Sequence, residues 1–156
     1  MCAIFRAIMG GQGDGGFMTQ VDHATIQAYL ETDYQVYGDC PFTLNIGKAC
    51  AELSALHKTY HSSGSAFITA ANPFSRPLDP VLNRERHISL ARELAARGFP
   101  FIDGTGKHPS NLWPGEASFL VFGLTLGEAR DLGRNYGQNA IVWNGAGAVP
   151  ELILLR

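Results

Sequence analysis

Two charged residues in the middle of this sequence, Arg86 and Glu116, could form a buried polar site. Leu90 and Leu94 set the apolar direction of a helix that begins at Pro80, and Arg86 lies on the same side. A buried arginine needs a carboxylate, several carbonyl groups or an anionic ligand. Glu116 is the candidate carboxylate, because a bidentate pair with Arg86 would satisfy both charges.

Further polar residues are expected beside this pair. Asn83 shares the buried side of the helix, and the free N–H groups at the start of that helix are a natural anion site. The candidate ligand-binding residues, called the polar cluster below, are Asn72, Ser75, Asn83, Arg86, Glu116, Gln138 and Asn139. A structural hydrogen-bond network that only holds loops in place is the competing interpretation.

The elements that must position these residues alternate along the chain. Helices are predicted from Asp22 to about Glu31, around Leu53 and Leu56, from Pro80 to about Arg97, and after the capping box Thr125-x-x-Glu128. Strands are predicted at YQVYG, FTLNIG, AFITAA, FPFID, ASFLVFG, NAIVW and ELILL. The first two strands form a hairpin around Asp39-Cys40-Pro41.

The order of elements from Ala66 to Trp143 is strand, helix, strand, strand, helix, strand. It predicts an α+β fold with a ferredoxin-like split βαβ core (βαββαβ), preceded by a helix, a β-hairpin and a helix and followed by an extra C-terminal strand. Helices are expected on one face of the sheet. This topology brings the polar cluster and the loop 104–115 to one edge of the sheet.

Composition places the chain in a broad class. It has 156 residues, 46% of them apolar, and a net charge of −2. This balance gives no reason to expect nucleic acid, and no apolar run is long enough for a membrane span. The three cysteines indicate a reducing cytoplasm rather than a disulfide framework.

The sequence predicts one domain over residues 19–156. Residues 1–18 are predicted to be a flexible glycine-rich extension, and Met18 is an alternative start of translation to Met1. A phosphate loop is the rival interpretation of the glycines, but the lysine of such a loop is missing.

Other motifs are weaker. His57 and His61 have metal-ligand spacing with Cys50 nearby, but Cys50 points away and no third ligand is evident, so we expect no metal. The segment 103–108 resembles part of a phosphate loop yet precedes a strand, although Lys107 and His108 could close over a ligand. No nucleophile elbow is present, and no cofactor is expected.

Several short motifs together resemble a known bacterial family. They are FITAANPFSRPL, Asn83-x-x-Arg86, WPGEASFLVFGL, GQNAIVW and PELILL. The chain resembles, over roughly residues 19–155, the family catalogued as domain of unknown function 3293. The matching positions are Asn72, Pro73, Ser75, Asn83, Arg86, Trp113, Pro114, Glu116, Ser118, Gln138 and Asn139. The resemblance implies a small single-domain bacterial protein with no assigned activity.

This sequence departs from the family pattern at two positions. Ala71 stands where an aromatic residue is expected before the asparagine, which puts a stacking role there in doubt. Ala117 stands where proline is common.

Two classes of function fit these observations. The first is a module that binds a small ligand or a protein partner through the polar cluster or an exposed sheet edge, with a homodimer as one arrangement left open. The second is an enzyme acting on a small anionic substrate, with Arg86 as the anion anchor and Glu116 as acid or base. A full Arg86–Glu116 pair would lower the pKa of Glu116 and argue against the enzyme.

Overall fold

The computed structural model describes residues 19–110 and 112–156. The predicted extension of residues 1–18, with its alternative start at Met18, lies outside the described residues. No helix within the described ranges is both long and apolar enough to cross a bilayer.

Among the described residues, four α-helices form where the sequence predicts them. They are α1 (His23–Glu31), α2 (Ala51–Thr59), α3 (Pro80–Ala96) and α4 (Leu126–Asn135). Asp22 accepts a hydrogen bond from the backbone N–H of Thr25, and Asp79 accepts one from that of Val81. The capping box between Thr125 and Glu128 is complete. These caps satisfy N–H groups that the first helical turn leaves without partners.

In the part of the chain that the structure describes, seven strands form a single antiparallel sheet. They are β1 (Asp33–Val36), β2 (Phe42–Leu44), β3 (Ser65–Thr69), β4 (Phe101–Lys107), β5 (Glu116–Phe122), β6 (Ala140–Asn144) and β7 (Pro150–Leu154). Their order across the sheet is β2-β1-β4-β5-β3-β6-β7. Thr69 pairs with Ser118, and Phe67 pairs with both Leu120 and Val142, so the three central strands share one register.

The α+β class is confirmed, but the ferredoxin-like prediction is wrong. The predicted core strands are only the middle of a larger sheet, which the β1–β2 hairpin extends beyond β4 and which β7 extends beyond β6. The seven strands curl into a half-barrel. The predicted core strands pair with further strands on both sides, and the sheet is curled. The structure is therefore not a simple βαββαβ core.

Helices cover both faces of the sheet, whereas the sequence predicted one covered face. On the convex face, Leu90 and Leu94 of α3 and Leu132 of α4 pack against Ile68 and Phe119. The opposite face is called the concave face below. Successive residues of a strand point to opposite faces, so the neighbours of the residues on the convex face lie on the concave face. There Leu53 of α2 packs against side chains that include Leu44, Phe67, Leu120 and Phe122. Helix α1 covers the remainder of the concave face and encloses a cavity with it.

Candidate functional site

A cavity of about 340 Å³ lies between α1 and the concave face of the sheet. The lining comes from α1, six strands and the loops beside them, and it comprises Ala24, Thr25, Ala28, Tyr29, Thr32, Tyr34, Phe67, Thr69, Ser75, Gly106, His108, Trp113, Glu116, Ser118, Gln138, Ala140, Ile141, Val142 and Leu152. The volume lies in the range of small-molecule sites, which combine mostly apolar walls with a few converging polar groups.

Glu116 supplies the carboxylate of this cavity. It is the first residue of β5, and its Oε1 accepts hydrogen bonds from the side-chain amide of Asn72 at 2.8 Å and from the indole N–H of Trp113 at 3.4 Å. Its Oε2 accepts no hydrogen bond from the described residues. Burial raises the pKa of Glu116, and the two hydrogen bonds offset only part of that effect.

The turn after β3 holds this carboxylate. Asn72 has a left-handed backbone (φ 44°, ψ 62°), and Phe74 and Ser75 also have positive φ values, 58° and 55°. The Asn72 side chain compensates this strain by accepting hydrogen bonds from the backbone N–H of Leu78 and from the Asn83 amide. The residue therefore joins the turn, the start of α3 and Glu116.

A second polar group of the cavity consists of two hydroxyls. The hydroxyl of Tyr29 on α1 is hydrogen-bonded to Ser75 Oγ, and the Asn139 amide donates to both oxygens, at 3.3 Å and 3.0 Å. One hydroxyl proton lies between the two oxygens. The other has no acceptor among the described residues, so the Tyr29–Ser75 pair can donate one hydrogen bond to a ligand.

Arg86 is hydrogen-bonded to backbone carbonyls and not to Glu116. Its Nε donates to the carbonyl of Ala70 at 2.6 Å, and its guanidinium also donates to the carbonyl of Tyr136. The expected pair with Glu116 is not formed, because these carbonyls satisfy the guanidinium. Arg86 does not contribute to the cavity wall. It connects the end of β3 to the end of α4.

Gln138 combines a structural contact with a place in the cavity wall. Its Nε2 donates to the carbonyl of Ala71 at 2.9 Å. Its Oε1 accepts no hydrogen bond from the described residues, which leaves a second acceptor beside the cavity.

Helix α1 is tied to the sheet by two contacts that border the cavity. The hydroxyl of Tyr34 donates to the carbonyl of Tyr29 at 2.7 Å, and burial raises the pKa of Tyr34. His108, which follows β4, has its Nε2 2.9 Å from Glu31 Oε2 at the end of α1. Hydrogen bonds from Gln27 and His108 lower the pKa of Glu31. These contacts hold α1 over the cavity.

The structure brings the polar cluster together around one end of the sheet but divides it into two parts. Glu116, Ser75 and Gln138 line the cavity. Asn72 and Asn139 hold two of them in place, Asn83 supports Asn72, and Arg86 joins backbone segments. Their ligand-binding role stays a prediction.

Sequence reasoning missed Tyr29 as a member of the site. The sequence predicts only that it lies in a helix, and nothing in the sequence shows that α1 covers the concave face. His108 and Trp113 also line the cavity. The sequence indicates that His108 could close over a ligand, and it marks Trp113 only as a position that matches the family.

A separate polar group, formed by His57, Ser65 and Asn144, lies away from the cavity. Buried His57 has its Nε2 2.9 Å from Ser65 Oγ, and the Asn144 amide donates to the same oxygen at 3.1 Å. Burial lowers the pKa of His57. Among the described residues, no group of three or more His, Cys, Asp or Glu side chains could hold a metal ion.

Comparison with known protein families finds a match. Residues 68–141 match the family described as Protein of unknown function (DUF3293), so the resemblance indicated by the motifs is confirmed over this segment. All seven residues of the polar cluster lie within it, whereas Tyr29 and Tyr34 lie outside. No curated protein and no solved structure matches the chain. The family description carries no activity, so a proposal must rest on the geometry of the cavity.

Proposed function

We propose that this chain, which matches the DUF3293 family over residues 68–141, is a ligand-binding protein whose site is the cavity under α1. One observation carries the proposal. Glu116 is fixed through Oε1 by Asn72 and Trp113, while Oε2 is left to a cavity of ligand size. A carboxylate that is positioned but not saturated is suited to bind a ligand group, since buried polar atoms are normally paired.

The walls of the cavity support the same proposal. Tyr34, Phe67, Val142 and Leu152 supply apolar surface, and the Tyr29–Ser75 hydroxyl pair adds a donor. Few polar groups among apolar walls are typical of small-molecule sites. A small ligand is favoured over a protein partner because these groups converge inside a cavity. The free thiols of Cys40 and Cys50 support a reducing, cytoplasmic location.

The test fills the cavity without altering its polar groups. Ala28 lines the cavity from α1, so Ala28→Phe is expected to occupy it. Ala55→Phe is the matched control, because Ala55 is exposed on α2. Saturation-transfer NMR with benzylamine, benzyl alcohol and benzoate should show binding of at least one probe to the wild type and to Ala55→Phe, and none to Ala28→Phe. Equal signals from all three proteins, or no binding to any of them, would contradict a ligand cavity.

An enzyme is the second candidate, and one observation favours it. Burial raises the pKa of Glu116, which is the direction that a general acid or base working near neutral pH needs. Arg86 has less support as the anchor of an anionic substrate, because its donors reach the carbonyls of Ala70 and Tyr136. Turnover of an anionic substrate that is lost in both Glu116→Gln and Arg86→Met would support this candidate.

A further inference from the structure

We propose that the ligand of the cavity is a small protonated amine with a compact apolar body, and that its ammonium group binds Oε2 of Glu116. This inference rests on the proposed function of the cavity and names the chemical class of its ligand. It is carried by the charges that line the cavity, by the donors that Glu116 already has, and by the shape of the apolar wall.

The charged groups of the cavity are unbalanced. Glu116 is an acid in the lining, and none of the described lining residues is Lys or Arg. His108 also lines the cavity, but its Nε2 is hydrogen-bonded to Glu31. The charge of Glu116 therefore has no Lys or Arg partner among the described side chains of the wall.

The donors that reach Glu116 are neutral. The Asn72 amide and the Trp113 indole stabilise Oε1 but bring no positive charge. A carboxylate taken out of water is costly unless a cation pairs with it. An ammonium group at Oε2 would supply both the charge and the donors. A ligand carboxylate at the same place would meet repulsion from Glu116, which disfavours an anionic ligand.

The apolar wall accommodates the body of such an amine. The rings of Tyr34 and Phe67 meet edge to face with centroids 5.3 Å apart. Val142 and Leu152 belong to the same lining. A hydrocarbon or aromatic group would remove this surface from water, which contributes roughly 25 cal/mol per Å² of apolar area. A bare inorganic cation would leave the wall unused.

The experiment compares three probes of similar size at one pH. Benzylamine is protonated at pH 7.5, benzyl alcohol is neutral and benzoate is anionic. Isothermal titration calorimetry should give wild-type protein at least tenfold tighter binding of benzylamine than of benzyl alcohol, with benzoate weakest. Glu116→Gln keeps an oxygen for Asn72 and Trp113 and removes the charge. It should reduce the preference for benzylamine over benzyl alcohol to about twofold or less.

Each outcome decides between the two proposals. If benzyl alcohol or benzoate binds the wild type as tightly as benzylamine, the amine assignment is wrong and the ligand cavity stands. If the preference for benzylamine survives in folded Glu116→Gln, Glu116 is not the group that binds the amine. If no probe binds the wild type saturably, the ligand cavity itself is refuted. The wild-type ranking decides the amine class even where Glu116→Gln does not fold.

Discussion

The side-chain amide of Asn72 lies 2.8 Å from Oε1 of Glu116 and donates a hydrogen bond to it across two segments that are 44 residues apart. Through this contact, a left-handed turn at the end of β3 fixes the carboxylate at the start of β5. The strain of the turn and the orientation of the carboxylate are therefore linked by one residue.

Replacing Asn72 tests this link. Asn72→Ala removes the bonds to Glu116, Asn83 and Leu78 and places a Cβ-bearing residue without local hydrogen bonds in a left-handed backbone. At about 1 kcal/mol per hydrogen bond, the free energy of unfolding should fall by roughly 2–4 kcal/mol, measured by urea denaturation. Asn72→Gly loses the same bonds but tolerates positive φ, so it should be about 1 kcal/mol more stable than Asn72→Ala. An Asn72→Ala protein as stable as the wild type would refute the link.

The raised pKa of Glu116 predicts a pH dependence of stability. A folded pKa above the ordinary value of about 4.3 means that the folded state binds the proton more tightly. The stability that this adds is fully present below about pH 4.3 and is lost as the pH rises through the folded pKa. The other titratable groups of the described cavity wall are Tyr29, Tyr34 and His108. The wild type and Glu116→Gln both retain them.

Urea denaturation of the wild type and Glu116→Gln over this pH range measures the effect. The wild type should lose stability relative to Glu116→Gln as the pH rises from about 4.3 through the folded pKa of Glu116. A difference that stays constant, or one that grows in favour of the wild type, would mean that the pKa of Glu116 is not raised.

Arg86 is predicted to stabilise the fold without contacting the ligand. Arg86→Met removes the bonds to the carbonyls of Ala70 and Tyr136, and the free energy of unfolding should fall by about 1–3 kcal/mol. Arg84→Met is the control, because Arg84 is exposed on the same helix. The Kd of benzylamine should change by less than about twofold in Arg86→Met, a change worth under about 0.5 kcal/mol. A tenfold loss of affinity in a folded Arg86→Met would instead support Arg86 as a ligand anchor.

Gly104 is predicted to be required for the packing of the concave face. A Cβ at this position would lie 2.5 Å from the carbonyl oxygen of Gln35 and 2.8 Å from Cε2 of Phe67, which lines the cavity. Gly104→Ala should lower the free energy of unfolding by about 1–3 kcal/mol and weaken benzylamine binding by displacing the Phe67 ring. At Gly147 an added Cβ meets nothing within 4 Å, so Gly147→Ala should stay within about 0.5 kcal/mol of the wild type. Similar stabilities for the two variants would show that β4 is less tightly packed than the structure indicates.

The local structure was largely readable from the sequence because short-range signals determine it. Asp22, Asp79 and the Thr125–Glu128 box mark three of the four described helix starts, and apolar runs mark the strands. The gathering of Asn72, Glu116 and Gln138 near one end of the sheet followed from the alternation of strand directions. These features depend on periodicity and capping, which a single sequence contains.

The overall fold and the contacts inside the site could not be predicted from the sequence, and the reasons are physical. Sheet curl and the pairing of β1 with β4 depend on long-range contacts, so the cavity was not foreseen. The position of Arg86 around the helix axis indicates that its side chain is partly buried. That position does not show whether its partner is a carboxylate or two backbone carbonyls. The sequence places Tyr29 in a helix, and only the position of α1 reveals its hydroxyl as part of the site.

The most direct measurement of a ligand at Glu116 is the indole N–H resonance of Trp113 during a benzylamine titration. The chain has two tryptophans, so Trp143, which packs against the convex core, is an internal reference. Trp113 donates to the carboxylate that should bind the amine. We predict a saturable shift of the Trp113 resonance in the wild type, none in Ala28→Phe, and little change at Trp143. An unchanged Trp113 resonance at saturating benzylamine, or equal shifts of both indoles, would contradict the proposed site.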